Sequence, residues 1–310
     1  MYLSRLKRHR SDMTKAFCVA GHTFHLTMPD GFPLWDLLAQ YKDFSTGLSD
    51  APLFVLRTAG ALPETAMEPL LVPEPKGNGE PRLDLYSCAE GFIVEMAPLA
   101  TLPTCARMLM SKDYREGVLA FSNDSPRSML FAVNNALMLL FAFASAPYMT
   151  LEMHASVIVN GGKGYLFLGK SGTGKSTHSS LWLKYIEGSE LLNDDNPVLR
   201  VGEDGVARVY GSPWSGKTPC YRNACAPVGA IVRISQAKHN AITRQSVLEA
   251  YASVYSSCSG FKADRAIADG QHRILEHIAL NVPCYRLDCL PDEEAARVCA
   301  AEVRKEGDDE

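Results

Sequence analysis

Tyr165-Leu166-Phe167-Leu168-Gly169-Lys170-Ser171-Gly172-Thr173-Gly174-Lys175-Ser176-Thr177 reads as a short apolar strand entering a glycine-rich loop, and Ser176 to Tyr185 continues it as a helix. Gly169, Gly174, Lys175 and Ser176 satisfy the pattern G-x-x-x-x-G-K-[ST], in which each position has a mechanical role. Glycines let backbone N–H groups turn inward around phosphates with no Cβ in the way. The lysine reaches the β- and γ-phosphates, and the serine hydroxyl is a Mg²⁺ ligand. The N-terminus of the following helix favours anions. The stretch Gly169 to Thr177 therefore predicts a site for a nucleoside triphosphate and magnesium.

Two neighbouring features fall where phosphoryl transfer needs them. Glu190-Leu191-Leu192-Asn193 reads as a strand ending in Asp194 and Asp195, so two adjacent carboxylates emerge at a strand's C-terminal end. One can hold Mg²⁺ with Ser176 while the other accepts a proton from an attacking hydroxyl; plain turn chemistry is the alternative, because Asp and Asn are favoured in turns. Upstream, Met153 to Val159 is a strand candidate that turns at Asn160-Gly161-Gly162 and runs into the strand before the glycine loop. Its His154 lies fifteen positions before Gly169, where a hairpin partner can set it beside the loop or simply pack it.

Taken together, His154, Gly169-Lys170-Ser171-Gly172-Thr173-Gly174-Lys175-Ser176-Thr177 and Asn193-Asp194-Asp195 resemble the HPr serine kinase/phosphorylase catalytic domain, within the phosphoenolpyruvate carboxykinase-like P-loop fold. The resemblance is clearest over residues 151–200 and extends to about 300. It implies ATP and Mg²⁺ as cofactors, phosphoryl-transfer roles for His154, Asp194 and Asp195 beside the motif's Lys175, and a homo-oligomer. The family's acidic residue in a Glu-x-Arg-Gly signature has no counterpart at Cys225-Ala226-Pro227-Val228-Gly229, and no counterpart of its distal Arg-containing loop is found.

From Gly205 to Leu248 there is no Asp or Glu, although the chain has 35 acidic residues and this stretch holds Arg208, Lys217, Arg222, Arg233, Lys238 and Arg244. Lys217, at the end of the loop Gly211-Ser212-Pro213-Trp214-Ser215-Gly216, or Arg222 is a candidate clamp for the γ-phosphate or an acidic substrate; an ordinary basic surface is the alternative.

The first ~125 residues alternate short apolar runs with turn signals, among them Phe17 to Leu26, Leu53 to Leu56 and Phe92 to Met96, the pattern of a mainly β accessory domain. Pro73 to Pro81 is dense in breakers and reads as a loop. Pro126 to Ala146 is nearly long and apolar enough for a membrane span, but Ser125-Pro126, Asn134-Asn135 and Pro147 mark it as a buried helix opening the second domain. The expected class is α/β, with a β-rich domain over 1–125, a P-loop domain over 126–305 and a solvated, disordered acidic tail over 306–310.

Net charge is −4 with a pI near 6.1, which gives no field for nucleic acid, and neither nucleic acid nor a membrane is expected as a partner. Nine scattered cysteines suit reduced thiols in a cytoplasm. The sequence thus predicts an ATP- and Mg²⁺-dependent kinase whose acceptor is a hydroxyl on a small molecule or a protein, with a nucleotide-dependent binding switch and plain NTP hydrolysis as rivals.

Overall fold

The computed structural model describes residues 11–71, 81–216, 218–260 and 264–305, and the chain divides into two compact units, 1–144 and 145–310. The expected loop at Pro73 to Pro81 and the acidic tail lie almost wholly outside the described residues.

The first unit is built on a nine-stranded mixed sheet. Its strands are β1 (Asp12–Val19), β2 (His22–Pro29), β3 (Ser45–Thr46), β4 (Val55–Ala59), β5 (Glu68–Leu71), β6 (Arg82–Cys88), β7 (Gly91–Ala97), β8 (Ala106–Ser111) and β9 (Glu116–Phe121), in the order β3-β1-β2-β4-β9-β8-β7-β6-β5. Phe17 to Leu26, read from sequence as one apolar run, is two strands. Ala20 and Gly21 both take positive φ, 49° and 75°, and Val19 pairs with His22 across a two-residue turn. A one-turn helix α1 (Leu34–Leu37) precedes the long helix α2 (Pro126–Ser145).

Helix α2 belongs to this unit rather than opening the next. Phe141 packs edge-on to Phe24, which stacks on Phe54 at 4.9 Å, and the Asn134 carbonyl accepts hydrogen bonds from Gln40 and Tyr41. The segment is apolar and long enough to cross a membrane, but 67% of its most apolar window is buried against protein. A boundary placed by composition at 125 therefore misses that the helix's apolar face is claimed by the preceding sheet.

The second unit contains β10 (Thr150–Glu152), β11 (Ala155–Asn160), β12 (Lys163–Leu168), α3 (Lys175–Tyr185), β13 (Glu190–Asp195), β14 (Val198–Val201), β15 (Ala207–Tyr210), β16 (Cys225–Gln236), β17 (Ala241–Arg244), α4 (Val247–Tyr255), α5 (Arg265–Asn281), β18 (Cys284–Cys289) and α6 (Glu293–Val303). Its mixed sheet runs β10-β14-β15-β16-β12-β11-β13, with β18 also pairing β16 and β17 pairing β18. Helices cover both faces. Leu166 and Leu168 of β12 join Ile274, Leu275 and Ile278 of α5 in one core, whereas Tyr165 and Phe167 join Trp182 of α3 and Cys299 of α6 in the other. A strand buried on both faces has no polar alternation, which is why Tyr165-Leu166-Phe167-Leu168 reads as an unbroken apolar run.

The register brings chemistry to one edge. Strands β12, β16 and β18 are parallel, and β11 is antiparallel to both β12 and β13. The C-terminal ends of β12, β13, β16 and β18 and the N-terminal end of β11 therefore share one edge, where Ala155 pairs with both Leu168 and Asp195.

Candidate functional site

The glycine loop leaves that edge from β12. Gly174, at φ 103°, turns the chain into α3 in a conformation that a Cβ would oppose, and as the N-cap it brings no capping side chain to the first N–H groups of the helix.

Lys175 is buried in the first turn. Its Nζ donates to the Gly169 carbonyl at 3.0 Å and lies 2.8 Å from His154 Nε2. An ammonium has only donors, so Nε2 accepts and His154 carries its proton on Nδ1, which lies 2.9 Å from Asp195 Oδ1. The result is a continuous chain, lysine to histidine to aspartate. Burial lowers the lysine's pKa, while the Asp195 and Asp194 charges raise it.

His154 does not lie within a continuous strand, as the sequence suggested. It sits in the break between β10, which pairs β14, and β11, which pairs β12, and its N–H donates to Ser257 O at 2.7 Å. The expected turn at Asn160-Gly161-Gly162 is present: Asn160 pairs with Lys163, and both glycines between them have positive φ.

The two carboxylates diverge. Asp194 is buried and its Oδ1 accepts from Ser176 Oγ at 2.9 Å, whereas Asp195 is partly exposed and meets His154 and, through Oδ2, the Asn196 amide at 3.2 Å. Asp195 holds φ at 132°, a costly conformation for a residue with a Cβ. The surroundings hold it there. Asn193, fully buried, donates to Ser212 Oγ at 3.2 Å and Trp214 O at 3.1 Å and accepts from Asn196 N at 3.0 Å. Gly216 N and Ser215 Oγ both donate to Asp194 O, at 2.7 and 3.0 Å. The loop 211–216 is thus a clamp on the aspartate pair.

That clamp changes the reading of the acid-free stretch. Arg222 is bound to Glu190 Oε2 at 2.8 Å and Leu191 O at 2.9 Å, at the start of β13. Five residues of extended chain, roughly 16 Å, separate that point from Asp195, so Arg222 does not reach the lysine-histidine-aspartate chain. Arg208 pairs with Asp204, and Arg233 donates to Ser253 O and Ser256 Oγ. Arg222 and Arg233 are thus held by partners far away in sequence, and Arg208 by a neighbour four positions before it. Lys217 lies outside the described residues.

Residues that sequence reading passed over complete the picture. Glu152 of β10 is wholly buried, with neither carboxylate oxygen hydrogen-bonded among the described residues, and burial together with the Asp195 charge raises its pKa well above the usual range. A lone charge in Leu151-Glu152-Met153 was its only local signal. His178 of α3 is buried, accepts from the Trp182 indole on Nε2, and leaves Nδ1 without a hydrogen-bond partner among the described residues; burial drops its pKa to about 4.

Two cavities flank the loop. One, of about 380 Å³, lies on the α3 face of the sheet and includes Thr177, His178, Leu181, Ile234, Ala237 and Leu290. The other, of about 640 Å³, lies on the α4 face and includes Arg233, Gln245, Glu249, Ser253 and Arg286. All nine cysteines are free, and among the described residues no three His, Cys, Asp or Glu side chains converge as a metal cage.

No family model matches the chain, and no curated protein matches it. Among solved structures the chain is similar to the Hpr(Ser) kinase/phosphatase from Coxiella burnetii, at 13% identity and a TM-score of 0.31. That match covers 50% of this chain and 95% of the other. So remote a likeness says nothing of activity or of individual residues.

Proposed function

We propose that the second unit is a phosphoenolpyruvate carboxykinase-like P-loop domain and an ATP- and Mg²⁺-dependent kinase, transferring the γ-phosphoryl group to a hydroxyl on a small molecule or a protein serine. The observation that carries this reading is the chain Lys175, His154, Asp195 at 2.8 and 2.9 Å, assembled at the mouth of a glycine loop. Loop N–H groups and the start of α3 bind the phosphates, and Lys175 neutralises charge on the γ-phosphate.

Ser176 Oγ and Asp194 Oδ1, 2.9 Å apart, are hard oxygen donors of the kind Mg²⁺ takes and would hold the ion together. When bound, that ion supplies neutralising charge to the β- and γ-phosphates. Asp194 is thereby assigned to the metal, which leaves Asp195 as the base. The acceptor oxygen attacks phosphorus as the bond to the β,γ-bridging oxygen breaks, ADP departs, and the hydroxyl proton passes to the Asp195 carboxylate. His154, donating from Nδ1, holds Asp195 in place and joins it to Lys175.

Incubation with ATP, Mg²⁺ and panels of hydroxylated metabolites and proteins tests the reading. Asp195→Asn is expected to lower transfer at least a hundredfold while leaving ATP affinity within about threefold. Retained transfer in this variant refutes the assignment of the base. Phosphate release without any phosphorylated product favours hydrolysis instead.

A further inference from the structure

The cavity on the α4 face adjoins the lysine-histidine-aspartate chain from two sides. Gly169 lines it, and the Gly169 carbonyl accepts from Lys175 Nζ at 3.0 Å. Its α4 wall includes Ser253, and one turn further on Ser257 O accepts from the His154 N–H at 2.7 Å. A small molecule seated there lies beside the place where the γ-phosphate meets Lys175, outside the phosphate loop itself.

The wall carries two arginines in cross-strand register. Arg233 of β16 stands opposite Arg286 of β18 in a parallel ladder, whose strands lie about 4.8 Å apart. Ile231 and Cys284, two positions earlier, belong to the core under α4 and α5, so both arginines leave the sheet on that same face. Like charges placed opposite one another on a sheet repel. Asp288 relieves Arg286, its Oδ1 accepting from Nε and Nη2 at 3.1 and 2.9 Å. Arg233 lacks such relief. Its Nη1 donates to Ser253 O and Ser256 Oγ, both uncharged, and among the described residues no carboxylate forms an ion pair with it. The acid in the wall, Glu249, is engaged at the start of α4, where its Oε2 accepts from Ser246 N and Oγ at 2.8 and 2.7 Å.

We propose that this cavity of about 640 Å³ holds the phosphoryl acceptor, and that the acceptor is a small hydroxy acid whose carboxylate lies between Arg233 and Arg286. The inference rests on the kinase reading and narrows its acceptor. The hydroxyl is the group phosphorylated: its oxygen attacks the γ-phosphorus, the bond to the β,γ-bridging oxygen breaks, and its proton passes to Asp195. Charge favours a carboxylate over a phosphate as the anchoring group. Lys170, Arg233 and Arg286 against Glu249 and Asp288 leave a single positive charge, which a monoanion neutralises and a dianion exceeds. A serine within a protein has its own carboxyl group in a peptide bond and leaves Arg233 unpaired.

Transfer of labelled phosphate from ATP with Mg²⁺ to small hydroxy acids, each beside its uncharged amide, tests the assignment on the full chain. Glycerol 3-phosphate and a serine-bearing protein represent the competing acceptor classes. Wild type is expected to phosphorylate at least one hydroxy acid with kcat/KM at least about tenfold above that for its amide. Arg233→Met is expected to lower kcat/KM for the acid at least about tenfold, mainly through KM, and to leave the amide unaffected. ATP affinity within about threefold of wild type, by calorimetry, reports that the variant is folded. Arg286 is exposed, and Arg286→Gln, expected to act severalfold in the same selective way, decides the matter if Arg233→Met does not fold.

Three results overturn the acceptor assignment and leave the kinase reading standing: hydroxy acids phosphorylated no better than their amides, glycerol 3-phosphate or the protein preferred to every hydroxy acid, or a preference for the acid that survives both substitutions. ATP bound with no phosphorylated product from any acceptor removes the kinase reading and this assignment with it.

Discussion

Replacing Glu152 by Gln tests whether an unpartnered carboxyl is carried as a neutral acid inside the second unit. In the folded protein burial raises this pKa well above the ordinary value of 4.5, with the Asp195 charge adding to the effect. Between 4.5 and the folded pKa the native state therefore holds a proton that the unfolded state has released. Wild type accordingly loses stability as pH rises through this window, by up to about 1.4 kcal/mol per pH unit. His178 acts in the opposite sense. Its pKa falls from 6.5 to about 4, so the unfolded chain binds a proton that the native state refuses, and stability is lost as pH drops from 6.5 towards 4. That contribution amounts to about 3 kcal/mol over the whole interval.

Where the two windows overlap, above about pH 4.5, the two slopes oppose each other in wild type. Glu152→Gln keeps the shape and removes the titration, so above about pH 4.5, and for as long as Glu152 stays protonated in the fold, its stability is expected to climb with pH relative to wild type, by up to about 1.4 kcal/mol per unit. Urea unfolding followed by Trp182 and Trp214, both buried in this unit, reads the difference at half-unit intervals from pH 4.5 to 7. Because the comparison is between variant and wild type, the other titrating groups drop out. Parallel curves for the two proteins refute the neutral-acid assignment.

Two further substitutions probe the clamp on the aspartates. Asn193→Ala leaves Trp214 O and Asn196 N without the partner they now share, and it is expected to cost about 2–4 kcal/mol by urea unfolding. A change under about 0.5 kcal/mol argues against a structural network there. Gly216→Ala places a Cβ 2.9 Å from Asp195 Cβ and 3.1 Å from its carboxyl carbon, so it is expected to lower turnover roughly tenfold with little change in nucleotide affinity. Full turnover in that variant shows that Asp195 tolerates displacement.

The local grammar of the second unit was legible because its causes are local. Tyr165 to Leu168, the glycines at 172 and 174 and the helix from Lys175 depend on chain sterics and on a strand buried on both faces. The hairpin turn at Gly161-Gly162 is likewise dictated by residues that tolerate positive φ. The grouping of His154, Lys175 and Asp195 was an expectation that adjacency in sequence allowed but did not compel.

Tertiary structure decided matters that turn on pairings between distant segments. Only the placement of β13 beside β11 sets Asp195 against His154, and only the return of residues 211–216 brings Ser215 and Gly216 onto the Asp194 carbonyl. Arg222 reads as a free cation in an acid-free stretch until Glu190, thirty-two positions earlier, is folded against it. Helix α2 looks like the start of a new domain until its apolar face meets Phe24. Sequence determined what each segment of this protein can become, because backbone sterics and apolar periodicity act over a few residues. Which segments share a sheet edge, and so which side chains meet, was left to the packing of two cores, where burial and hydrogen bonding between remote residues choose the partners.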